Sequence, residues 1–206
     1  MSEQPGKDPV IRIAGISGSR RVPSYTRMAV EAALRGAAEV GAVTHLIDLA
    51  EFELAFAGAG GHKGPHFERL SSEVKQADGI ILGTPEYHGS FSGVLKNALD
   101  LMGFDEFESK MIGLVGVSGG AMGAFDALNS LRNVGRALHA WVIPEQAAIP
   151  EAWKMFDTSG AVKDAKVEAR LKEVGRQVAR FARLHKCAAD NEFLKKWEEA
   201  PANPGA

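Results

Sequence analysis

Apolar positions along the chain follow two alternating rhythms. Val10 to Ile16, Ala42 to Leu49, Gly79 to Thr84, Met111 to Val117 and His139 to Ile143 are short apolar runs of strand length. Between them, apolar residues step by three and four. Val30, Ala33, Leu34 and Ala37 share one helical face within 25–40, and Phe67, Leu70, Val74 and Ala77 share another. Val94, Leu95, Ala98, Leu99 and Met102 form a third, Ala127, Leu131, Val134 and Leu138 a fourth. Val167, Leu171, Val174, Val178 and Phe181 give the longest stripe. Glu51 to Pro65, punctuated by Gly58, Gly60, Gly61 and Gly64, reads as a long loop. Five buried strands separated by helices predict an α/β fold, a doubly wound parallel sheet with helices on both faces. The expected domain spans 1–187, followed by a charged C-terminal tail over 188–206 that ends in Pro201, Pro204 and Gly205.

In such a sheet, ligands bind beyond the carboxyl ends of the strands, near the point where strand order reverses. The loops after the first, third and fourth strands are therefore the candidate site. The first loop carries Ser17, Ser19, Ser24 and Thr26, with Arg20, Arg21 and Tyr25, at a helix N-terminus. Hydroxyls, backbone amides, a guanidinium and the positive end of a helix dipole are the donors that a phosphate requires. Ser24 also serves as a helix cap and Ser19 as a turn residue, but capping accounts for one hydroxyl of the four. The loop lacks the Gly-Lys-Ser/Thr of a P-loop and the Gly-x-Gly-x-x-Gly of a dinucleotide site. The second loop, Thr84 to Gly93, holds Pro85, Glu86, Tyr87, His88 and Gly89; an aromatic wall and exposed backbone there suit a flat heterocycle. It is also readable as a plain strand-to-helix turn. The third loop, Ser118, Gly119, Gly120, Ala121, Met122 and Gly123, lets backbone approach a ligand closely, or is simply a glycine-rich connector.

Composition narrows the function classes. The 206 residues suit one domain, 45 % are hydrophobic, and the net charge of −2 offers no field for nucleic acid or an anionic membrane. No run reaches a membrane span, Met1 to Pro9 lacks a secretory apolar segment, and the single cysteine, Cys187, excludes a disulfide framework. A cytoplasmic location is the default expectation. His62 and His66 have no third ligand nearby in sequence, so no metal site is expected.

These loops resemble those of the NADPH-dependent FMN reductase family, which includes quinone, chromate and azo-dye reductases. The resemblance runs from about Val10 to about Leu184. The family's phosphate loop, approximately Gly-Ser-x-Arg-x-x-Ser, matches Gly18, Ser19, Arg21 and Ser24. Its flavin loop, Pro-Glu-Tyr-Asn-x-Ser followed by Pro-Gly-x-Leu-Lys-Asn-Ala, matches Pro85, Glu86, Tyr87 and Ser90, then Gly93, Leu95, Lys96, Asn97 and Ala98. Ser118, Gly119 and Gly123 resemble its third loop. His88 stands where asparagine is frequent and Ser92 where proline is frequent.

The resemblance implies a flavodoxin-like fold with strand order 2-1-3-4-5 and FMN bound by the three loops. It implies NADPH or NADH as co-substrate, and electron transfer to a quinone, chromate, an azo dye or free flavin. Tyr87 would wall a nicotinamide pocket or pack under its loop, and His88 would line the acceptor pocket or be structural. Glu86 would turn away from the reduced ring and hydrogen-bond elsewhere. The alternative is a flavodoxin-like electron carrier that docks to partner proteins; such carriers are markedly acidic, and this chain is nearly neutral. The resemblance also implies a homodimer or homotetramer. The helix over 94–102 adds an argument of its own, since Val94, Leu95, Ala98, Leu99, Leu101 and Met102 exceed one stripe. Either a second subunit covers that surplus, or the loop over 51–65 does.

Overall fold

The computed structural model describes residues 9–58 and 60–188. The first strand, β1 (Arg12–Ser17), leads into α1 (Tyr25–Glu39), β2 (Val43–Asp48) and, after the long loop, α2 (Phe67–Lys75). Then come β3 (Gly79–Tyr87), the two-residue β4 (Ser90–Phe91), α3 (Gly93–Leu101), α4 (Phe104–Phe107) and β5 (Met111–Val117). The described residues finish with α5 (Phe125–Ala137), β6 (Trp141–Ile149), α6 (Ala152–Met155) and α7 (Ala165–Ala188). From residue 189 on, the expected tail lies outside the described residues.

Five strands run parallel in the order β2-β1-β3-β5-β6, and β4 pairs antiparallel with β3. Apart from that short extra strand, this is the expected five-stranded order. β4 escaped the hydrophobic pattern because two residues cannot show an alternation. β6 continues six residues past Ile143, where Pro144, Glu145 and Gln146 end the apolar run. It is an edge strand, so a proline costs no ladder bond on its open side. The β5–β6 register slips between Ile112 and Leu114. Arg132 satisfies carbonyls at that irregularity, donating from Nη1 to Ile143 O (3.0 Å) and from Nη2 to Pro144 O (2.8 Å).

β3 and β5 are buried on both faces. On one face Ile81 and Val115 pack with α1 and α7; on the other Ile80, Leu82 and Leu114 pack with α2, α3 and α5. α1 and α7 touch backbone to backbone. A Cβ on Gly36 would collide with the carbonyl of Lys172, and one on Gly175 with the carbonyl of Ala33.

The apolar surplus of α3 is covered within the chain. Leu95, Ala98, Leu99, Leu101 and Met102 are all buried, in one cluster with Phe52, Phe67 and Phe107. Asn97 clasps the long loop, accepting from Ala57 N (3.0 Å) and donating to Ala55 O (2.9 Å). The surplus therefore does not mark a contact between subunits.

Glu106 fixes the turn after α3. Its carboxylate accepts from Ser71 Oγ (2.6 Å) and Gly103 N (2.8 Å) and lies 3.2 Å from Lys75 Nζ. Burial alone would raise its pKa; the Ser71 hydroxyl, the Gly103 amide and Lys75 outweigh burial and hold it below the ordinary glutamate value. A depressed carboxylate stabilises the fold above its unfolded pKa, and that stability is lost as pH falls through the folded value. Glu106→Gln is therefore expected to cost about 1–3 kcal/mol at pH 7 and progressively less below about pH 4, read from paired urea denaturations. A deficit that stays constant from pH 7 to pH 3 would contradict this account.

Candidate active site

The carboxyl ends of β1, β3, β5 and β6 open at one edge of the sheet, and four segments meet there. β1 ends at Ser17, whose Oγ is fully buried and has no hydrogen-bond partner among the described residues. Gly18 follows, its amide donating to Gly83 O (2.8 Å). A Cβ at Gly18 would stand 2.7 Å from Leu95 Cβ and 2.9 Å from Gly83 O, so this close approach of loop to α3 requires glycine. Ser19 Oγ accepts from Arg21 N (3.3 Å). Ser24 caps α1, its Oγ accepting from Arg27 N (3.2 Å). The amides of Tyr25 and Thr26, in the first turn, have no partner within the helix. They and the dipole face the loop.

The second segment leaves β3. Tyr87 and Ser90 pair across a two-residue turn in which His88 (φ +52°) and Gly89 (φ +73°) are both left-handed. That is the primed turn that suits a hairpin, and asparagine and histidine are among the few side chains that tolerate its first position. The frequent asparagine at His88 thus has a conformational reason. Thr84 Oγ1, buried, donates to Pro85 O (2.8 Å) and accepts from Ser92 N (3.0 Å). Ser92 caps α3 through Leu95 N (3.1 Å) and donates to Gly18 O (2.5 Å). Glu86 turns to α5, where Oε2 accepts from Ala127 N (3.1 Å). Ala124, at the cap of α5, offers no side-chain bond, so Glu86 caps that helix from outside, where the dipole favours a carboxylate.

The third segment follows β5. Ser118 Oγ accepts from Gly120 N (3.1 Å), and a Cβ at Gly119 would meet nothing within 4 Å, so open space adjoins the backbone there. The fourth follows β6: Ala152 N donates to Ser118 O (2.9 Å) and Glu151 N to Gly120 O (3.0 Å), which ties α6 to the third loop. Trp153 on α6 projects half-exposed beside it.

A cavity of about 240 Å³ lies among these segments. Ser19, Arg21, Tyr25 and Thr26 line it from the first loop; Pro85, Glu86 and Tyr87 from the second; Ser118 and Gly119 from the third. Of the residues singled out in the sequence, Ser17, Ser24, His88, Gly89, Gly120 and Gly123 lie in the same loops but do not line it. Ala152 and Trp153 do, and the hydrophobic pattern missed them. The available signal was a tryptophan shortly after the last strand, obscured because that strand reads six residues too short. A larger cavity, about 400 Å³, sits between the end of α1 and α7, beside Ile11 and Ala42, which precede β1 and β2. It is at the opposite edge of the sheet, away from the loops.

The donor set fits FMN. Hydroxyls of Ser19 and Thr26, the Arg21 guanidinium and a helix N-terminus suit a phosphate. The orphaned Ser17 hydroxyl lies at the root of the same loop. Tyr87, Trp153 and the open backbone at Gly119 suit a flat ring. Fold and site together define a flavodoxin-like flavoprotein.

The comparisons with known proteins go further. The NADPH-dependent FMN reductase family matches residues 11–154, and the chain belongs to that family. It is 30 % identical over 181 residues to the NADPH-dependent FMN reductase ArsH of Shigella flexneri, an alignment that covers 85 % of this chain and 70 % of that protein. It is 39 % identical over 114 residues to an FMN-dependent NADPH-azoreductase of Staphylococcus aureus, covering 54 % of this chain and 60 % of the relative. Among solved structures, an NADH:FMN oxidoreductase in its apo form superposes with a TM-score of 0.68 at 22 % identity, over 85 % of this chain and 89 % of that one, which supports the fold. Among the described residues no helix is long and apolar enough to cross a membrane.

Proposed function

We propose that this flavoenzyme carries reducing equivalents from NADPH, or from NADH, to a small diffusible acceptor: a quinone, chromate, an azo dye or free flavin. One observation carries the reading. A single cavity joins phosphate donors at a helix N-terminus to aromatic and glycine-opened walls. Bound FMN supplies the two-electron chemistry, as is usual when a cofactor performs the difficult step. The chain's residues bind and orient it. Ser19, Thr26 and Arg21 hold the phosphate with the first amides of α1, whose dipole offsets its charge. The backbone of Pro85, Glu86 and Tyr87 and that of Ser118 and Gly119 border the ring, while His88, Gly89, Gly120 and Gly123 shape the same two loops outside the cavity. Ser17, Ser24 and Tyr25 keep the phosphate loop and the start of α1 in shape. Tyr87 offers a flat face to the nicotinamide or the acceptor. Glu86, bonded to α5, keeps its charge engaged away from the ring.

The purified protein is expected to be yellow, to release FMN rather than FAD, and to lose its absorbance near the flavin maximum when NADPH is added without oxygen. A spectrum and mass spectrometry of the released cofactor test this. FAD, or no flavin after reconstitution, would overturn the reading. Bound FMN that both NADPH and NADH leave oxidised would favour the electron carrier.

The proposal includes a single domain over 1–187, a cytoplasmic location and a homodimer or dimer of dimers, with no nucleic-acid or membrane partner. The support for pairing lies at the cavity rim rather than on α3. Val22, Tyr87, Met122, Phe125 and Trp153 all leave large apolar surfaces exposed near the loops. Light scattering at micromolar concentration should give at least twice the mass of one 22.0 kDa chain. A lone chain would contradict the pairing.

A further inference from the structure

The cavity has a chemical asymmetry that bears on which acceptor it admits. Its described lining contains one cation, Arg21, in the phosphate loop. Away from that loop the described lining holds no cation: Tyr87 and Trp153 are aromatic, Glu86 is the one carboxylate, and the rest is small or apolar. The cation next along α6, Lys154, is held by Glu151 at 2.6 Å and stands 4.9 Å over the Trp153 ring.

Tyr87 is 46 % and Trp153 56 % exposed, high values for side chains of this size. Tyr87 ends β3 and Trp153 lies on α6, just after β6, and both line the one cavity. Gly119, following β5, lines the same cavity with open space beside its backbone. Trp153 does not sit on a free loop. Glu151 before it is left-handed (φ +41°), a strained conformation for a residue with a side chain, and its amide and that of Ala152 are bound to the third loop. Phe156 beyond it stacks on Tyr25 at 5.8 Å. The indole is thus presented to the cavity by a pinned element.

We infer that Trp153, with Tyr87, selects planar aromatic acceptors over compact oxyanions at this site; the inference rests on the reductase reading above. A neutral planar ring gains stacking on aromatic faces and needs no counter-charge. A chromate dianion needs a cation, and the one in the described lining serves the phosphate. For a quinone the net reaction is NAD(P)H + H⁺ + quinone → NAD(P)⁺ + hydroquinone. The electron pair of one dihydronicotinamide C–H bond is lost, and two O–H bonds form on the quinone oxygens.

The test uses the FMN-loaded protein with 1,4-naphthoquinone and chromate as probes, comparing wild type, Trp153→Ala and Trp153→Phe. Wild type is expected to prefer the quinone in kcat/KM. Trp153→Ala should lower the quinone-to-chromate ratio on the order of tenfold, chiefly through KM for the quinone, and Trp153→Phe should restore most of it. If the alanine variant loses its FMN, Trp153→Leu supplies the same comparison without a π-face. A ratio within about twofold of wild type in a variant carrying stoichiometric FMN overturns the inference, as does a phenylalanine variant no better than alanine. Wild-type protein whose bound flavin neither NADPH nor NADH reduces overturns the reductase reading itself, and is recognised before any acceptor is added.

Discussion

Gly175→Ala is expected to destabilise the protein by about 2–4 kcal/mol. The sign is the informative part, because glycine to alanine inside a helix normally stabilises by up to about 1 kcal/mol. Here the added methyl would run into the carbonyl oxygen of Ala33 and come within 2.8 Å of its carbon and 2.9 Å of Ala37 N. Those are backbone atoms of α1, so no rotamer change relieves the clash. The two helices must separate, and Leu171, Val174 and Val178 lose their fit against Ala29, Ala33 and Ala37. Gly93→Ala is the control: nothing lies within 4 Å of its Cβ position and its φ is not positive. It should change stability by no more than about 1 kcal/mol. Urea denaturation followed by circular dichroism gives both values. A neutral or stabilising Gly175→Ala would mean that α1 and α7 do not cross as closely as described.

Ser19→Ala combined with Thr26→Val is expected to weaken FMN binding by on the order of 2–4 kcal/mol, roughly 30- to 1,000-fold in Kd, from two lost phosphate hydrogen bonds. Both residues line the cavity and both are buried. Valine keeps the β-branched shape of threonine, so the first turn of α1 persists. Ser24 makes the useful contrast. Its hydroxyl caps α1, so Ser24→Ala should appear mainly as a loss of about 1 kcal/mol in stability. Quenching of FMN fluorescence measures the affinities. An unchanged Kd for the double variant would place the phosphate elsewhere.

Much of this architecture is legible in the sequence because β1, β3 and β5 are buried apolar runs and the helices between them keep a clean stripe. The parallel order then follows from connectivity and handedness. What escaped depends on partners distant in the chain. Pro144, Glu145 and Gln146 look like a loop until Arg132, more than ten residues earlier, is seen to satisfy the carbonyls of Ile143 and Pro144. Shortening that strand hid the segment that carries Trp153. The surplus on α3 left two covers open in the sequence, a second subunit or the loop over 51–65, because the stretch around Ala55 and Ala57 carries no periodicity. The Asn97 side chain that fastens this cover is some forty residues away. The phosphate loop was readable as a cluster of hydroxyls. Ser24 was readable as the helix cap; which of the other hydroxyls face the cavity was set by backbone direction.

Ser92 has a mechanical consequence. Its hydroxyl donates to Gly18 O while accepting from Leu95 N, and its amide donates to Thr84 Oγ1. A proline in its place has neither that hydroxyl nor an amide hydrogen, and would leave the Gly18 carbonyl and the Thr84 hydroxyl to find other partners. In this chain one small side chain rivets the turn that faces a phosphate to the first turn of the helix behind the aromatic hairpin. The phosphate end and the hairpin end of the pocket are thereby held at a fixed separation by a single hydroxyl.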